Sequence, residues 1–149
     1  MSSISPFLWF DTQAEEAAEL YVSLFPSSSI TNVMRLPDGA VLTVTFVLDG
    51  VEFQALNAGP HHKFTEAVSF FIKAETQERI DELWSKLTAD GGEPGQCGWL
   101  KDKFGLSWQV VPPRLGELLG DPAVSQPVMQ AMFGMQKLVI ADLEAAAVS

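Results

Sequence analysis

The sequence predicts an α+β fold of two βαβββ modules followed by C-terminal helices. Three observations carry that reading. Strand and helix patterns occur twice in the same order, the two stretches match each other weakly at fixed offsets, and Pro112-Pro113 closes the second stretch before an all-helical tail. At 149 residues, 47% hydrophobic and 19% charged, the chain is long and apolar enough for one packed domain spanning residues 1–149 and too short for several independent ones.

The elements follow in order. Residues 4–10 form a short apolar and aromatic run, as a buried strand does. Thr12-Gln13-Ala14-Glu15 fits a capping box, and Ala14, Ala17, Ala18, Tyr21, Leu24 and Phe25 then recur at helical spacing until Pro26 ends the pattern. Residues 30–36 and 41–48 read as strands with Asp38-Gly39 as the turn between them, and Asp49-Gly50 sets off a further strand at 51–56. The first module thus occupies about residues 4–57.

After the polar loop Gly59-Pro60-His61-His62-Lys63 the order begins again. Residues 67–73 are strand-like, Thr76 is a helix cap, and Ile80, Leu83, Trp84 and Leu87 mark one helical face up to Asp90-Gly91-Gly92. Strands follow around 96–101 and 106–111, so the second module occupies about 67–111. Beyond Pro113 the extension to residue 149 holds a short helix at 115–119 and one or two helices within 125–143. There Met129, Met132 and Met135 stand every third residue and are expected to serve as core or dimer contact.

Aligning the halves gives two offsets. At 63, Pro6-Phe7-Leu8 falls on Ser69-Phe70-Phe71; at 55, Phe53-Gln54 falls on Trp108-Gln109. Two such modules bury their apolar faces on each other or on a second chain, leaving a concave sheet face as the natural cleft.

Nine basic residues against nineteen acidic ones give a net charge of −10, and the first 34 residues contain no Lys or Arg. Such a chain repels phosphate backbones and anionic lipid, so neither nucleic acid nor membrane is expected as a partner. No stretch has the apolar length of a membrane span and residues 1–10 lack a signal pattern, which predicts a cytoplasmic protein. His61, His62 and Cys97 are the only histidines and the only cysteine. That excludes an internal disulfide framework and zinc sites built on several thiolates.

Particular strings go further. Residues 10–17, FDTQAEEA, with 21–26, YVSLFP, resemble the opening signature of the PhnB-like proteins. Residues 53–60, FQALNAGP, and 97–112, CGWLKDKFGLSWQVVP, resemble later signatures of the same family. The family lies within the glyoxalase, bleomycin-resistance and extradiol-dioxygenase superfamily, also called vicinal oxygen chelate, and its members often carry the label 3-demethylubiquinone-9 3-methyltransferase. The resemblance covers nearly the whole chain and implies two βαβββ modules of the glyoxalase type and a homodimer. The methyltransferase label finds no support in the residues. A doubly wound methyl-donor site needs a glycine-rich turn from strand to helix, whereas Gly91-Gly92, Gly95 and Gly98 follow a helix and enter a strand.

Enzymes of this superfamily chelate a divalent metal with His and Glu from the first and last strand of each module. Carried over through the repeat, those positions fall on Pro6, Gln54, Ser69 and Gln109, none of them a histidine or carboxylate. The expectation is therefore no metal and no cofactor. Two glutamines and a serine instead suit a hydrogen-bonding site for a small-molecule ligand, or a set of groups that satisfy one another. Strand alternation adds Phe71 and Ser107 to the same face, giving Gln54, Ser69, Phe71, Ser107 and Gln109 as the candidate cleft, and turns Phe70 and Trp108 toward the helices. The alternatives are a divergent enzyme, metal-independent or recruiting His61 or His62 to a non-standard metal site, and an interaction protein acting through the Met-bearing tail. Cys97 has no basic neighbour in sequence and reads as a packed thiol.

Overall fold

A computed structural model describes residues 2–148 and divides into two compact units, Met1–Phe64 and Thr65–Ser149. In the first unit β1 (Phe7–Phe10) leads through α1 (Ala14–Leu24) to β2 (Ser29–Arg35), β3 (Val41–Leu48) and β4 (Val51–Asn57). The sheet order is β1-β4-β3-β2, with β1 parallel to β4 and the other pairs antiparallel. Leu8, Phe10, Val44, Phe46, Phe53 and Ala55 are buried, and so are Ala14, Ala17, Ala18, Tyr21 and Leu24 of α1. Small residues on the helix let it lie close to the sheet, and Tyr21 reaches Phe46 at 6.3 Å between ring centroids. Asp49 and Gly50, at φ 48° and 84°, form the tight turn that the Asp-Gly pair demands.

Helix α1 is not capped as its sequence suggests. Gln13, not Thr12, precedes it, and neither side chain caps. Instead Asn57 Oδ1, at the end of β4, accepts from the Ala14 N–H at 2.9 Å while Asn57 Nδ2 donates to the Val41 carbonyl at 3.2 Å. A neighbouring strand thus supplies what a local motif was expected to supply. Asn57→Ala should cost about 1–2 kcal/mol, the range of a lost helix cap, read as a fall in the urea midpoint; an unchanged midpoint would show the cap to be dispensable.

The second unit repeats the order: β5 (Ser69–Lys73), α2 (Gln77–Leu87), β6 (Glu93–Pro94), β7 (Trp99–Lys101) and β8 (Ser107–Val111), in sheet order β5-β8-β7-β6. Thr76 caps α2 as expected, its Oγ1 accepting from the Arg79 N–H at 3.1 Å. The strand expected around 96–101 is displaced. Cys97 and Gly98 take φ of 58° and 86°, which no strand admits, so residues 96–98 turn the chain between a two-residue β6 and β7.

The tail forms three helices, α3 (Pro113–Leu119), α4 (Ser125–Phe133) and α5 (Ile140–Val148). Gly134 ends α4, so the apolar stretch divides there. Leu115, Leu118, Val128, Leu138 and Leu143 build a core with Val111 of β8, and Met132 and Met135 pack against it while Met129 stands exposed. Two of the three methionines therefore serve the core. Among the described residues no helix is long and apolar enough to cross a membrane.

Strand register corrects the repeat. Phe7 lies beside Gln54 and Phe71 beside Gln109. With Gln54 equated to Gln109, the first strands match at an offset of 64 (residue 7 to residue 71), not 63. Exposure agrees: Phe7 and Phe71 are 53% and 56% exposed, and the following Leu8 and Ile72 are 5% and 8%. The equivalent of Ser69 is then Ser5, and Pro6 leaves the set. A one-residue slip turns a strand's side chains to the opposite face, so this shift decides which groups share the open surface.

Candidate ligand site

In the second unit the strand pairing lays two rows of side chains across one face of the sheet. Ser69 lies beside Ser107, Ser107 opposite Lys101, and Lys101 opposite Glu93; in the next row Phe71 lies beside Gln109, and Gln109 opposite Trp99. Residues paired on adjacent strands project to the same side. The other face carries Ile72, Leu100, Trp108 and Val110, all buried, and α2 packs against β7 and β8.

The first row is polar and only partly satisfied. Gln109 Nε2 donates to Ser69 Oγ at 3.0 Å. Ser107 is 1% exposed and its Oγ has no hydrogen-bond partner among the described residues. A buried hydroxyl left in that state costs roughly 1–3 kcal/mol. Lys101 Nζ reaches Glu66 Oε2 at 3.2 Å. The Glu66 carboxyl is held below its ordinary value by its own backbone N–H first and by Lys101 second. The charged form is thus favoured in the folded chain. Its contribution is complete above the ordinary glutamate range and is lost as pH falls through the lowered value; full exposure keeps it small. A cavity of about 380 Å³ opens here, lined among others by Glu66, Glu93, Pro94, Trp99, Lys101 and Ser107.

Asp102 shapes this corner. Buried at 2% exposure, it accepts from the Phe104 and Leu106 N–H groups through Oδ1, at 2.9 and 3.0 Å, and from Trp108 Nε1 through Oδ2 at 2.9 Å. The Asp102 N–H donates to the Leu106 carbonyl and the Gly105 N–H to the Asp102 carbonyl, both at 2.9 Å. The carboxylate therefore fixes the turn whose ends carry Lys101 and Ser107.

The expected residues do not all meet. Ser69 and Gln109 meet directly, Ser107 lines the cavity, and Phe71 lies beside Gln109 but is largely exposed outside the cavity lining. Phe70 and Trp108 pack together at 5.6 Å between ring centroids. Gln54 lies in the first unit between Phe7 and Thr45, on the corresponding face, where Ser5 Oγ donates to Glu52 Oε2 at 3.1 Å. His61 and His62 are exposed; the His62 ring stands edge-on to Trp9 at 4.6 Å, and Trp9 Nε1 donates to the Gly59 carbonyl at 2.8 Å. Cys97 is half-buried and its N–H donates to the Met135 carbonyl at 2.8 Å.

Sequence reasoning missed Lys101, Glu93, Trp99, Glu66 and Asp102. Lys101 and Asp102 stand inside the third family-like string, where alternation from Ser107 across a short turn was the available signal.

A divalent metal of the kind this superfamily holds does not fit these residues. In the corrected register the strand positions offer Ser5, Gln54, Ser69 and Gln109, all neutral oxygen or amide donors, and a +2 ion needs carboxylate or imidazole to offset its dehydration. Among the described residues no three His, Cys, Asp or Glu side chains converge as a metal site requires.

Comparison with known proteins agrees with the resemblance. The family model described as 3-demethylubiquinone-9 3-methyltransferase matches residues 2–111. The 3-demethylubiquinone-9 3-methyltransferase-type PhnB protein of Bacillus cereus is 34% identical, with a TM-score of 0.70 over 74% of this chain and 99% of that one. Protein PA1353 from Pseudomonas aeruginosa is 16% identical with a TM-score of 0.62, over 74% of this chain and 96% of that one. The fosfomycin resistance protein FosX of Listeria monocytogenes, in complex with Mn(II) and sulfate, is 15% identical with a TM-score of 0.51, over 74% of this chain and 91% of that one. The last two likenesses concern the fold. No curated protein matches. Helices α3 to α5 lie beyond the residues that the family model matches. The chain belongs to the 3-demethylubiquinone-9 3-methyltransferase (PhnB) family, and its two βαβββ modules have the fold of the vicinal oxygen chelate superfamily.

Proposed function

We propose that the protein binds a small polar molecule on the open face of the second sheet and does so without a divalent metal. The observation that carries this reading is Ser107: a hydroxyl buried to 1% exposure, without a partner among the described residues, lining a cavity of about 380 Å³ beside the Ser69–Gln109 pair. Native chains seldom leave such a group unmatched, and a ligand hydrogen bond relieves it. Ser107 and Lys101 recognise the ligand, Ser69 and Gln109 extend the polar row, and Phe71 offers apolar contact at its edge. Gln54 contributes the same chemistry on the corresponding face of the first unit. In this reading the protein is a cytoplasmic homodimer with no nucleic-acid or membrane partner, and the family label does not describe its chemistry.

A thermal-shift screen of metabolites tests the reading. Compounds that raise the melting temperature of the native chain should lose most of that effect in Gln109→Ala and in Ser107→Ala. The ligand-free Ser107→Ala protein should be at least as stable as the parent, because the substitution removes an unpaired buried hydroxyl. Ligands whose binding survives both substitutions unchanged would remove the site from consideration. Stoichiometric metal in the purified protein would overturn the metal-free part separately.

A further inference from the structure

We propose that the cavity of the second unit selects an amino-acid-like zwitterion, with the ligand carboxylate on Lys101 and the Ser107 hydroxyl and the ligand ammonium on Glu93. The inference rests on the reading of this sheet face as a ligand site and names the chemistry of that ligand. Three observations carry it.

The first is the placement of charge. Lys101 is the only cation lining the cavity, and it stands between Ser107 on one neighbouring strand and Glu93 on the other. Its partner Glu66 lies across an exposed pair, with side chains 41% and 67% accessible. Exposed pairs of that kind contribute little, so a ligand carboxylate displaces Glu66 at little cost. Glu93 takes part in no ion pair among the described residues and is left to receive a cation.

The second observation is the balance of charges. Glu66 and Glu93 face one lysine in a chain of net charge −10, which repels a simple anion. A simple cation in turn meets Lys101 beside the unpaired hydroxyl. A molecule with both charges answers both groups. Glu93 and Lys101 are cross-strand partners, so both charges rise from adjoining positions on one face of the sheet.

The third is size and shape. At about 380 Å³ the cavity sits at the small end of the range for ligand sites, roughly 300–1,000 Å³. Trp99 and Pro94 supply an apolar wall for a side chain. Ser107 gives the carboxylate a donor that none of the described residues uses.

The proteinogenic L-amino acids, each with its N-acetyl and its amide derivative, serve as probes in calorimetric titration of the full chain. At least one free amino acid should bind, with each derivative at least about ten-fold weaker. Glu93→Gln should weaken the free amino acid at least about ten-fold and leave the N-acetyl form unchanged; Lys101→Gln should weaken it similarly and leave the amide unchanged. Both positions lie at the surface, so the variants should keep the parent circular dichroism and melting temperature. The inference is overturned if no free amino acid binds, if the derivatives bind equally, or if neither charge substitution matters. A metabolite that binds, is lost in Gln109→Ala and ignores both charge substitutions overturns the zwitterion alone and leaves the ligand face standing.

Discussion

Asp102→Ala should lower the stability of the protein by roughly 3–5 kcal/mol, the range for removing one side of a buried charged network. The carboxylate accepts from the Phe104 and Leu106 N–H groups and Trp108 Nε1, at 2.9–3.0 Å. Hydrogen bonds to a charged group contribute roughly 1.5–3 kcal/mol each, and they do not add fully because they share one partner. Alanine leaves the donors without an acceptor in a place that water reaches poorly, since Leu106 and Trp108 are 3% and 2% exposed. Asp102→Asn keeps the shape and one acceptor oxygen but sets an NH₂ against a donor, and should fall between the two. Urea unfolding followed by tryptophan fluorescence reads the effect. A loss under about 1 kcal/mol would mean that the turn holds without its carboxylate. Because the turn positions Lys101 and Ser107, the proposed ligand binding should weaken in the same variant even where it is still folded.

The second large effect concerns the helical extension. Leu138 is fully buried and lies over Gly98, where an added Cβ would come within 3.0 Å of Leu138 Cδ1 and 3.0 Å of the Val110 carbonyl. Leu138→Ala should cost about 2–5 kcal/mol, the transfer free energy of the lost atoms plus that of the cavity they leave. The segment around Leu138 is also tied by hydrogen bonds and one ion pair: Cys97 and Gly98 donate to the Met135 and Gln136 carbonyls at 2.8 Å, Gln77 donates to the Leu138 carbonyl at 3.0 Å and accepts from the Ile140 N–H at 2.8 Å, and Lys137 Nζ meets Asp81 Oδ1 at 2.9 Å. Loosening it should therefore expose Cys97. Thiol labelling in the native state should run at least about ten-fold faster in Leu138→Ala, since local opening follows local stability. Slow labelling together with a full loss of global stability would place the defect elsewhere in the core.

The order of elements and their turns could be read from the sequence because each rests on local chemistry. Asp49-Gly50 has few alternatives to a tight turn, and Thr76 sits one residue before a clear helical face. What escaped depends on tertiary partners. Asn57 caps α1 from a strand more than forty residues away, so Thr12, the local candidate, goes unused. The two-residue β6 has no room for a periodic pattern, and its pairing with Lys101 brings Glu93 to the site.

Three of the five expected site residues share one small region, and the reason is alternation along β5 and β8, which needs no knowledge of partners. Lys101 and Trp99 required the pairing of a third strand. The Pro6 assignment failed for a related cause: a weak repeat tolerates a slip of one residue, and only the Phe7–Gln54 and Phe71–Gln109 neighbours decide between 63 and 64.

The corrected register also sets Glu52 of the first unit against Ser107 of the second. In the first unit the carboxylate takes the Ser5 hydroxyl and the site is closed upon itself; in the second a shorter side chain leaves a vacancy in the hydrogen-bonding scheme. The two halves therefore differ at one pair of equivalent positions: a carboxylate with a hydroxyl partner in the first, a buried hydroxyl with none among the described residues in the second.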